Sequence, residues 1–287
     1  MTQPGNDMTG RVCLVTGATD GHGRAVAEAL ASAGAELVLL GRDPEKCEAV
    51  QREIADRTGR KPDVLLCDLM NRTDVDRAAD GYLAGGRPLH LLVNNAGLVN
   101  LHRKLNDEGL EQTFAVNYLS MFQLTLRLFE RMKESAPARI VNISSDSYKI
   151  AKIELDNLQL EKGYSVSQAY GRSKLAIVHF TLELARRIEG SGVTANAVDP
   201  GPVASNIAAN NPGILYSLAK PMIRYLFPSP AKAARTCLLI ASDPELTTST
   251  GGYWRSRKRR DQPLKNQDLQ LSEDLWNASV KLTGVDL

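Results

Sequence analysis

Cysteine and histidine are scarce in this 287-residue chain, which has four of each. The cysteines are scattered, no two form a Cys-x-x-Cys pair, and no histidines accompany them at the spacing of a metal site. These absences argue against a structural metal and indicate a reducing compartment.

Long apolar runs and an excess of one charge are also missing. No run reaches the roughly 18–20 apolar residues of a membrane-spanning helix, and the first residues lack the pattern of a signal peptide. A net charge of +2, from 35 basic and 33 acidic residues, argues against nucleic acid or an anionic membrane as a partner. Without a linker or an internal repeat, the sequence predicts one domain over residues 1–287 and a cytoplasmic location.

Short apolar runs instead alternate with helix-like segments. The runs are too continuous for strands with one wet face, so they predict buried parallel strands: RVCLV, AELVLL, DVLLC, LHLLV, ARIVNIS and GVTANAV. The segments between them predict helices at Arg24–Ala33, Pro44–Arg57, Thr73–Leu83, Glu108–Glu134 and Ser167–Glu189. The repeated strand-helix unit predicts an α/β fold, a doubly wound parallel sheet of about seven strands with helices on both faces in three layers.

The alternation breaks after the last of these strands. Residues 202–228 mix apolar and aromatic residues with prolines, which predicts a substrate flap or, alternatively, an amphipathic surface segment or subunit contact. A C-terminal extension is expected from about residue 255. It opens on the basic run Arg255–Arg260, which we interpret as a solvated turn rather than a site for nucleic acid or lipid headgroups.

A glycine-rich loop follows the first predicted strand and opens the first helix. It reads TGATDGHG and provides the candidate cofactor residues Gly17, Thr19, Asp20, Gly21, His22 and Gly23. Glycines let backbone N–H groups approach a pyrophosphate at a helix N-terminus, as in Rossmann-type dinucleotide sites. For His22, two interpretations stay open: a packing substitution, or a hydrogen bond to a phosphate or to the surroundings of Ser145.

An arginine marks the expected position of the adenosine ribose. Arg42 lies 19 residues after Gly23, just past the second predicted strand. An acid there would bind the ribose 2′-hydroxyl, whereas an arginine accommodates a 2′-phosphate, so Arg42 predicts NADP(H) in preference to NAD(H). Asp43 is unfavourable near a phosphate and is expected to cap the helix that begins at Pro44.

Tyr170 and Lys174 are four residues apart in a helix-like segment, which places them on one face. A free tyrosine has a pKa of about 10. A nearby ammonium favours the phenolate, so we expect Lys174 to lower the pKa of Tyr170 and make it a usable acid or base. Other polar groups, Asn94 to Gly97, Ser144-Ser145 and Pro200-Gly201, end neighbouring strands and should meet at the same edge of the sheet.

With these motifs in this order, the sequence resembles the short-chain dehydrogenase/reductase family, and its retinol-dehydrogenase-like subgroup through the longer segment between Ser145 and Tyr170. The resemblance covers about Arg11 to the C-terminus. It implies that Tyr170 is the acid/base, Lys174 also holds the nicotinamide ribose, Ser145 orients the substrate carbonyl and Asn117 positions a water. The cofactor contacts it implies are Asp68, Leu69, Asn94, Ala96, Gly97, Pro200, Gly201, Val203 and Ser205.

The function implied is NADP(H)-dependent interconversion of an alcohol and a carbonyl on a lipophilic small molecule. Two alternatives remain: a sensor or scaffold that binds NADP(H) without catalysis, and a C=C reductase with the same Tyr170 and Lys174. Members of the family often pair through the two long helices. A homo-oligomer is therefore an option, unless the segment before Tyr170 obstructs that surface.

Overall fold

A computed structural model describes residues 7–201, 228–260 and 268–287, and its central element is an eight-stranded sheet. The strands are β1 Val12–Thr16, β2 Glu36–Gly41, β3 Asp63–Leu66, β4 Leu91–Asn94, β5 Ala138–Ile143, β6 Val193–Asp199, β7 Tyr253–Arg255 and β8 Lys258–Arg260. Their order is β3-β2-β1-β4-β5-β6-β7-β8. All neighbours pair in parallel except β7 and β8, which are antiparallel.

Helices connect the strands close to the predicted positions. They are α1 Gly21–Ser32, α2 Pro44–Thr58, α3 Arg72–Ala84, α4 Ser120–Glu134, α5 Val166–Arg187, α6 Pro230–Ser242 and α7 Leu269–Thr283. Two helical turns, Gln112–Phe114 and the π-helical Ala115–Leu119, lead into α4, so the helix predicted from Glu108 begins later. α6 and α7 were not predicted.

The two faces of the sheet are both covered. Because successive side chains of a strand point to opposite faces, β1 supplies Val12 and Leu14 to one core and Cys13 and Val15 to the other. Helices α3, α4, α5 and α7 pack on the first face, and α1, α2 and α6 on the second. The predicted three-layer α/β/α architecture is therefore confirmed.

The strand count differs from the prediction because of β8. Its sequence, KRR, has no apolar residue, so it carries no strand signal. A two-residue turn joins it to β7, with Ser256 and Arg257 both in the left-handed region at φ 52° and 60°. The basic run interpreted as a solvated turn is thus a β-hairpin at the edge of the sheet.

The residues that follow residue 267 pack into the molecule through α7. The Trp276 ring stacks on Phe180 of α5 with centroids 5.7 Å apart, and Tyr118 and Ser279 share a hydrogen bond of 2.8 Å. His179 of α5 hydrogen bonds Ser272 at 2.8 Å.

Across the three described ranges, every helix is too short or too polar to cross a bilayer, and no group of three His, Cys, Asp or Glu side chains has the arrangement of a metal site.

Candidate active site

A cleft of about 950 Å³ opens at the carboxyl ends of the strands. Most of the predicted site residues line it: Gly17, Thr19, Asp20, Gly21, His22, Gly23, Arg42, Asp68, Leu69, Ala96, Gly97, Ser145, Tyr170, Lys174, Pro200 and Gly201. The structure therefore brings together, in one cleft, residues that are dispersed over most of the sequence.

Four predicted residues do not line the described cleft. Asn94 is buried behind the wall, where its amide nitrogen donates to Asn142 at 2.8 Å and Thr125 at 2.9 Å. Asn117 is also buried. Val203 and Ser205 lie outside the described residues, as do residues 202–227 of the predicted flap.

The glycine loop is held tightly against the end of β4. Gly17 has φ 63°, and a Cβ atom there would lie 2.9 Å from the Cα of Ala96. A Cβ on Gly23 would collide with the side-chain amide of Asn95. Asp20 caps α1 by accepting a hydrogen bond of 2.7 Å from the Gly21 N–H. The first N–H groups of α1 have no partner within the helix, and this end of the helix faces the cleft, as a pyrophosphate site requires.

His22 has a contact that neither interpretation of the sequence anticipated. Its Nδ1 lies 2.8 Å from Oδ1 of Asn95, whose amide nitrogen donates to the carbonyl of Thr16 at 2.9 Å. Since the amide nitrogen is engaged there, its oxygen accepts, and Nδ1 of His22 carries the hydrogen. Burial lowers the pKa of His22, so the ring is neutral near pH 7 and braces the loop against β4.

Basic side chains line the end of the cleft beside β2. Arg42 follows this strand directly, and Lys46 from the first turn of α2 lines the same region. Asp43 caps α2, as predicted, by accepting from the Lys46 N–H at 3.2 Å, and it also pairs with the Lys46 ammonium at 3.1 Å. The Asp43 carboxylate is thus engaged both by the helix it starts and by Lys46, and Arg42, Asp43 and Lys46 all line this end of the cleft.

Tyr170, Lys174 and Ser145 meet at the opposite end. The Lys174 Nζ lies 5.4 Å from the centroid of the Tyr170 ring and donates to the Ile143 carbonyl at 3.0 Å. Ser144 donates to the Lys174 carbonyl at 3.0 Å, which joins β5 to α5. Ser145 lines the same part of the cleft, and its hydroxyl oxygen accepts from the Ser147 N–H at 3.3 Å. The phenol, the ammonium and the hydroxyl therefore form one cluster.

The expected lowering of the Tyr170 pKa by Lys174 is wrong for this structure. Burial, and then the charge of Asp199, raise the pKa of Tyr170 to about 12, against a smaller opposing effect of the Ser145 side chain. Burial also lowers the pKa of Lys174 to about 8. Because burial disfavours the charged phenolate, Tyr170 is a protonated phenol at neutral pH.

Asn117 lies in the π-helical turn, with its side chain turned to protein groups. Its Oδ1 accepts from the Leu98 N–H at 2.7 Å, and its Nδ2 donates to the Leu98 carbonyl and to Ser173 Oγ, each at 3.0 Å. The side chain therefore fixes the loop after β4 to α5, next to Tyr170 and Lys174, rather than facing the cleft.

The segment between Ser145 and Tyr170 is fastened to α5 and to the loop after β4. Buried Arg172 forms an ion pair of 3.0 Å with Glu154, and Tyr164 donates to the Asn100 carbonyl at 2.9 Å. Tyr164 and the rest of residues 147–169 are not among the residues that line the described cleft.

Sequence reasoning missed four charged residues that line the cleft: Lys46, Asp146, Asp199 and Arg255. Asp199 immediately precedes the predicted Pro200-Gly201, and Asp146 immediately follows Ser145, so their neighbours were the available signal. Arg255 was assigned to a solvated turn, but it ends β7 and forms an ion pair with Asp199 at 3.3 Å.

Comparison with known proteins agrees with this geometry. The family model of short chain dehydrogenases matches residues 11–212. This chain belongs to the short-chain dehydrogenase/reductase family. It is 39% identical to mouse retinol dehydrogenase 12 over 277 residues, 96% of this chain and 87% of that protein. It is 35% identical to human polyprenol dehydrogenase, over 96% of this chain and 86% of that protein. These relatives place it in the retinol-dehydrogenase-like subgroup.

Solved structures share the fold. An uncharacterized protein from Mycobacterium paratuberculosis superimposes with a TM-score of 0.79 and 28% identity, covering 99% of this chain and 97% of that one. The NADP active-site complex of RhlG from Pseudomonas aeruginosa superimposes with a TM-score of 0.70 and 27% identity, over 89% and 98%. The chain is accordingly an NAD(P)-dependent oxidoreductase that acts on CH-OH or C=O groups.

Proposed function

We propose that this short-chain dehydrogenase/reductase interconverts an alcohol and an aldehyde or ketone on a lipophilic small molecule, with NADP(H) as cofactor and Tyr170 as acid/base. The observation that carries the proposal is the cluster of Tyr170, Lys174 and Ser145 in the cleft that also contains the glycine loop. A protonated phenol and a neighbouring hydroxyl are suited to donating hydrogen bonds to a carbonyl oxygen.

The residues of the cleft fit a dinucleotide. The first turn of α1, beyond the Gly21 N–H that donates to Asp20, provides N–H donors for a pyrophosphate. Arg42, beside the ion pair of Lys46 and Asp43, provides positive charge at the β2 end for a 2′-phosphate. Asp68 and Leu69, which follow β3, and Ala96 and Gly97, which follow β4, also line the cleft. The preference for NADP(H) rests on Arg42 and Lys46. The role of Val203 and Ser205 stays a prediction.

A bound nicotinamide supplies or accepts the hydride. In the direction of reduction, Ser145 donates a hydrogen bond to the carbonyl oxygen and orients it, and Tyr170 then transfers its phenolic proton to that oxygen as the alcohol forms. Lys174 stabilises the phenolate that remains, because its ammonium lies beside the ring. Oxidation is the reverse, with the phenolate as base, so it should be favoured at higher pH.

The lipophilic substrate is proposed from the relatives, which are named as dehydrogenases of retinol and polyprenol. The cytoplasmic location also stays a proposal. The test is an activity screen of the purified protein with NADPH and NADH against long-chain and cyclic aldehydes, ketones and enones, followed by product analysis. We expect alcohol products and faster turnover with NADPH than with NADH. Saturated carbonyl products would indicate a C=C reductase instead, and NADPH binding without any product would indicate a sensor.

A further inference from the structure

An ion-pair network joins the ends of β5, β6 and β7 beside the catalytic cluster. Arg255, the last residue of β7, donates from Nε to Asp199 at 3.3 Å and from Nη1 to Asp146. Asp146 also accepts from the Tyr253 hydroxyl at 3.0 Å and pairs with Lys149 at 2.8 Å. The guanidinium therefore bridges two carboxylates on different strand ends.

Asp199 is the buried centre of this network. Its side chain is only 3% exposed. Besides the Arg255 guanidinium, the carboxylate accepts from the Gly201 N–H at 2.7 Å and from the Asp146 N–H at 3.3 Å. A carboxylate in such a place is costly unless its oxygens are satisfied, and here all three donors come from segments that line the cleft.

The network is anchored next to Ser145. The Ser144 N–H donates to the Val198 carbonyl at 2.8 Å, and the Asp146 N–H donates to Asp199. Ser145 is thus held by a backbone bond on one side and by the carboxylate on the other. If the second contact is lost, the segment that carries the Ser145 hydroxyl is fixed on one side only.

We propose that Asp199 and Arg255 are positioning residues of this active site: they hold Ser145 in register with Tyr170 and set the charge that Tyr170 and Lys174 experience. This inference rests on the proposed function of the same cluster. Neither residue needs to touch the substrate for it to hold.

The charges around the pair can be named from each element. Asp199 ends β6, Asp146 and Lys149 belong to the turn after β5, and Arg255 and Tyr253 belong to β7, with Lys258 of β8 opposite Arg255. The carboxylate of Asp199 raises the pKa of both Tyr170 and Lys174; for Tyr170 this adds to the larger effect of burial, and for Lys174 it opposes that effect. Removal of this charge should therefore move both pKa values downward.

The first experiment replaces Arg255 by Met and by Lys, with Arg260→Met as the control on the exposed strand of the same hairpin. Arg255→Met should lower kcat for carbonyl reduction about tenfold or more, because a buried carboxylate loses a charged donor. The Kd for NADPH should change less than about twofold. Arg255→Lys should recover part of the loss, since it keeps the charge, and Arg260→Met should resemble the wild type.

The second experiment is a pH titration of Asp199→Asn, which keeps the shape of the side chain. The basic limb of the kcat profile for reduction should move to lower pH, because Tyr170 loses its proton more easily. A spectrophotometric titration of phenolate should also show a lower pKa for Tyr170 in Asp199→Asn than in the wild type, and it does not require turnover. The signal of Tyr170 is identified by comparison with the same variant carrying Tyr170→Phe.

The outcomes separate the two proposals. A wild-type protein that reduces no carbonyl compound refutes the proposed function, but the phenolate titration still tests the effect of Asp199. The positioning role is overturned if Asp199→Asn titrates like the wild type, or if folded Arg255→Met keeps wild-type kcat. If Arg255→Met does not fold, the Arg255→Lys variant and the Asp199→Asn titration decide.

Discussion

Replacement of Arg42 by alanine tests the basis of the cofactor preference. Arg42 lies at the exposed end of the cleft beside β2, so a hydrogen bond from its guanidinium to a 2′-phosphate would be partly screened by solvent. A charge-assisted bond contributes about 1.5–3 kcal/mol, and screening reduces this to about 1–2 kcal/mol. The Kd for NADPH should therefore rise about 5- to 30-fold, whereas that for NADH should stay nearly constant.

The assay is direct titration of both cofactors by calorimetry or by nicotinamide fluorescence, at low and high salt. Since the interaction is electrostatic, the effect of Arg42→Ala on NADPH should diminish as salt increases. Arg52→Ala is a suitable control, because Arg52 is an exposed arginine on α2 that does not line the cleft. Equal weakening of NADPH and NADH, or tighter wild-type binding of NADH, would refute the assignment.

Three further predictions follow from buried contacts. His22→Ile removes the bond to Asn95, so the affinity for NADPH should fall a few-fold. Because burial lowers the pKa of His22, the ratio of wild-type to variant affinity should be the same at pH 7 and pH 8, and a ratio that changes over this range would contradict a neutral ring. Burial lowers the pKa of His179 to about 4 from 6.5, so the unfolded chain binds a proton that the folded chain does not, and stability should fall as pH drops through this window. The free energy of unfolding should fall by up to about 3 kcal/mol over this range. Urea unfolding at pH 5 and pH 7 should show a smaller fall for His179→Gln than for the wild type, and an equal fall would argue against the role of His179. Finally, α7 covers α5 through Trp276 and Phe180, so light scattering should find a monomer, and cross-links between the α5 helices of two chains would contradict this.

The sequence predicted the fold because its signals are local. Continuous apolar runs produced β1 to β6, and the glycine loop lies where a strand-loop-helix pattern puts it. The short strand β8 escaped prediction because Lys258–Arg260 has no apolar periodicity and is held by pairing with β7. Helix α7 was not predicted although its ends carry helix signals: Asp268 caps its N-terminus by accepting from the Leu271 N–H at 3.0 Å, and Gly284 ends it in the left-handed region.

The site was predictable where a motif fixes both residue type and place, as for Tyr170, Lys174 and Ser145. The long-range electrostatic interactions of the site were not predictable from the sequence. The sign of the Tyr170 pKa shift depends on burial and on Asp199, and the partners of Arg255 come from β5 and β6. Likewise, the amide of Asn117 faces Leu98 and Ser173 because of the π-helical turn, which the sequence does not signal.

The central claim is that Tyr170 donates the proton to the carbonyl oxygen. The most direct measurement is the rate of a single-turnover reduction of a carbonyl substrate by bound NADPH, compared between Tyr170→Phe and the wild type. The Kd for NADPH of each protein is measured first. We expect equal Kd values within about twofold and a loss of about 10²–10⁴ in the rate of the chemical step. A variant that keeps the wild-type rate would remove Tyr170 from the mechanism.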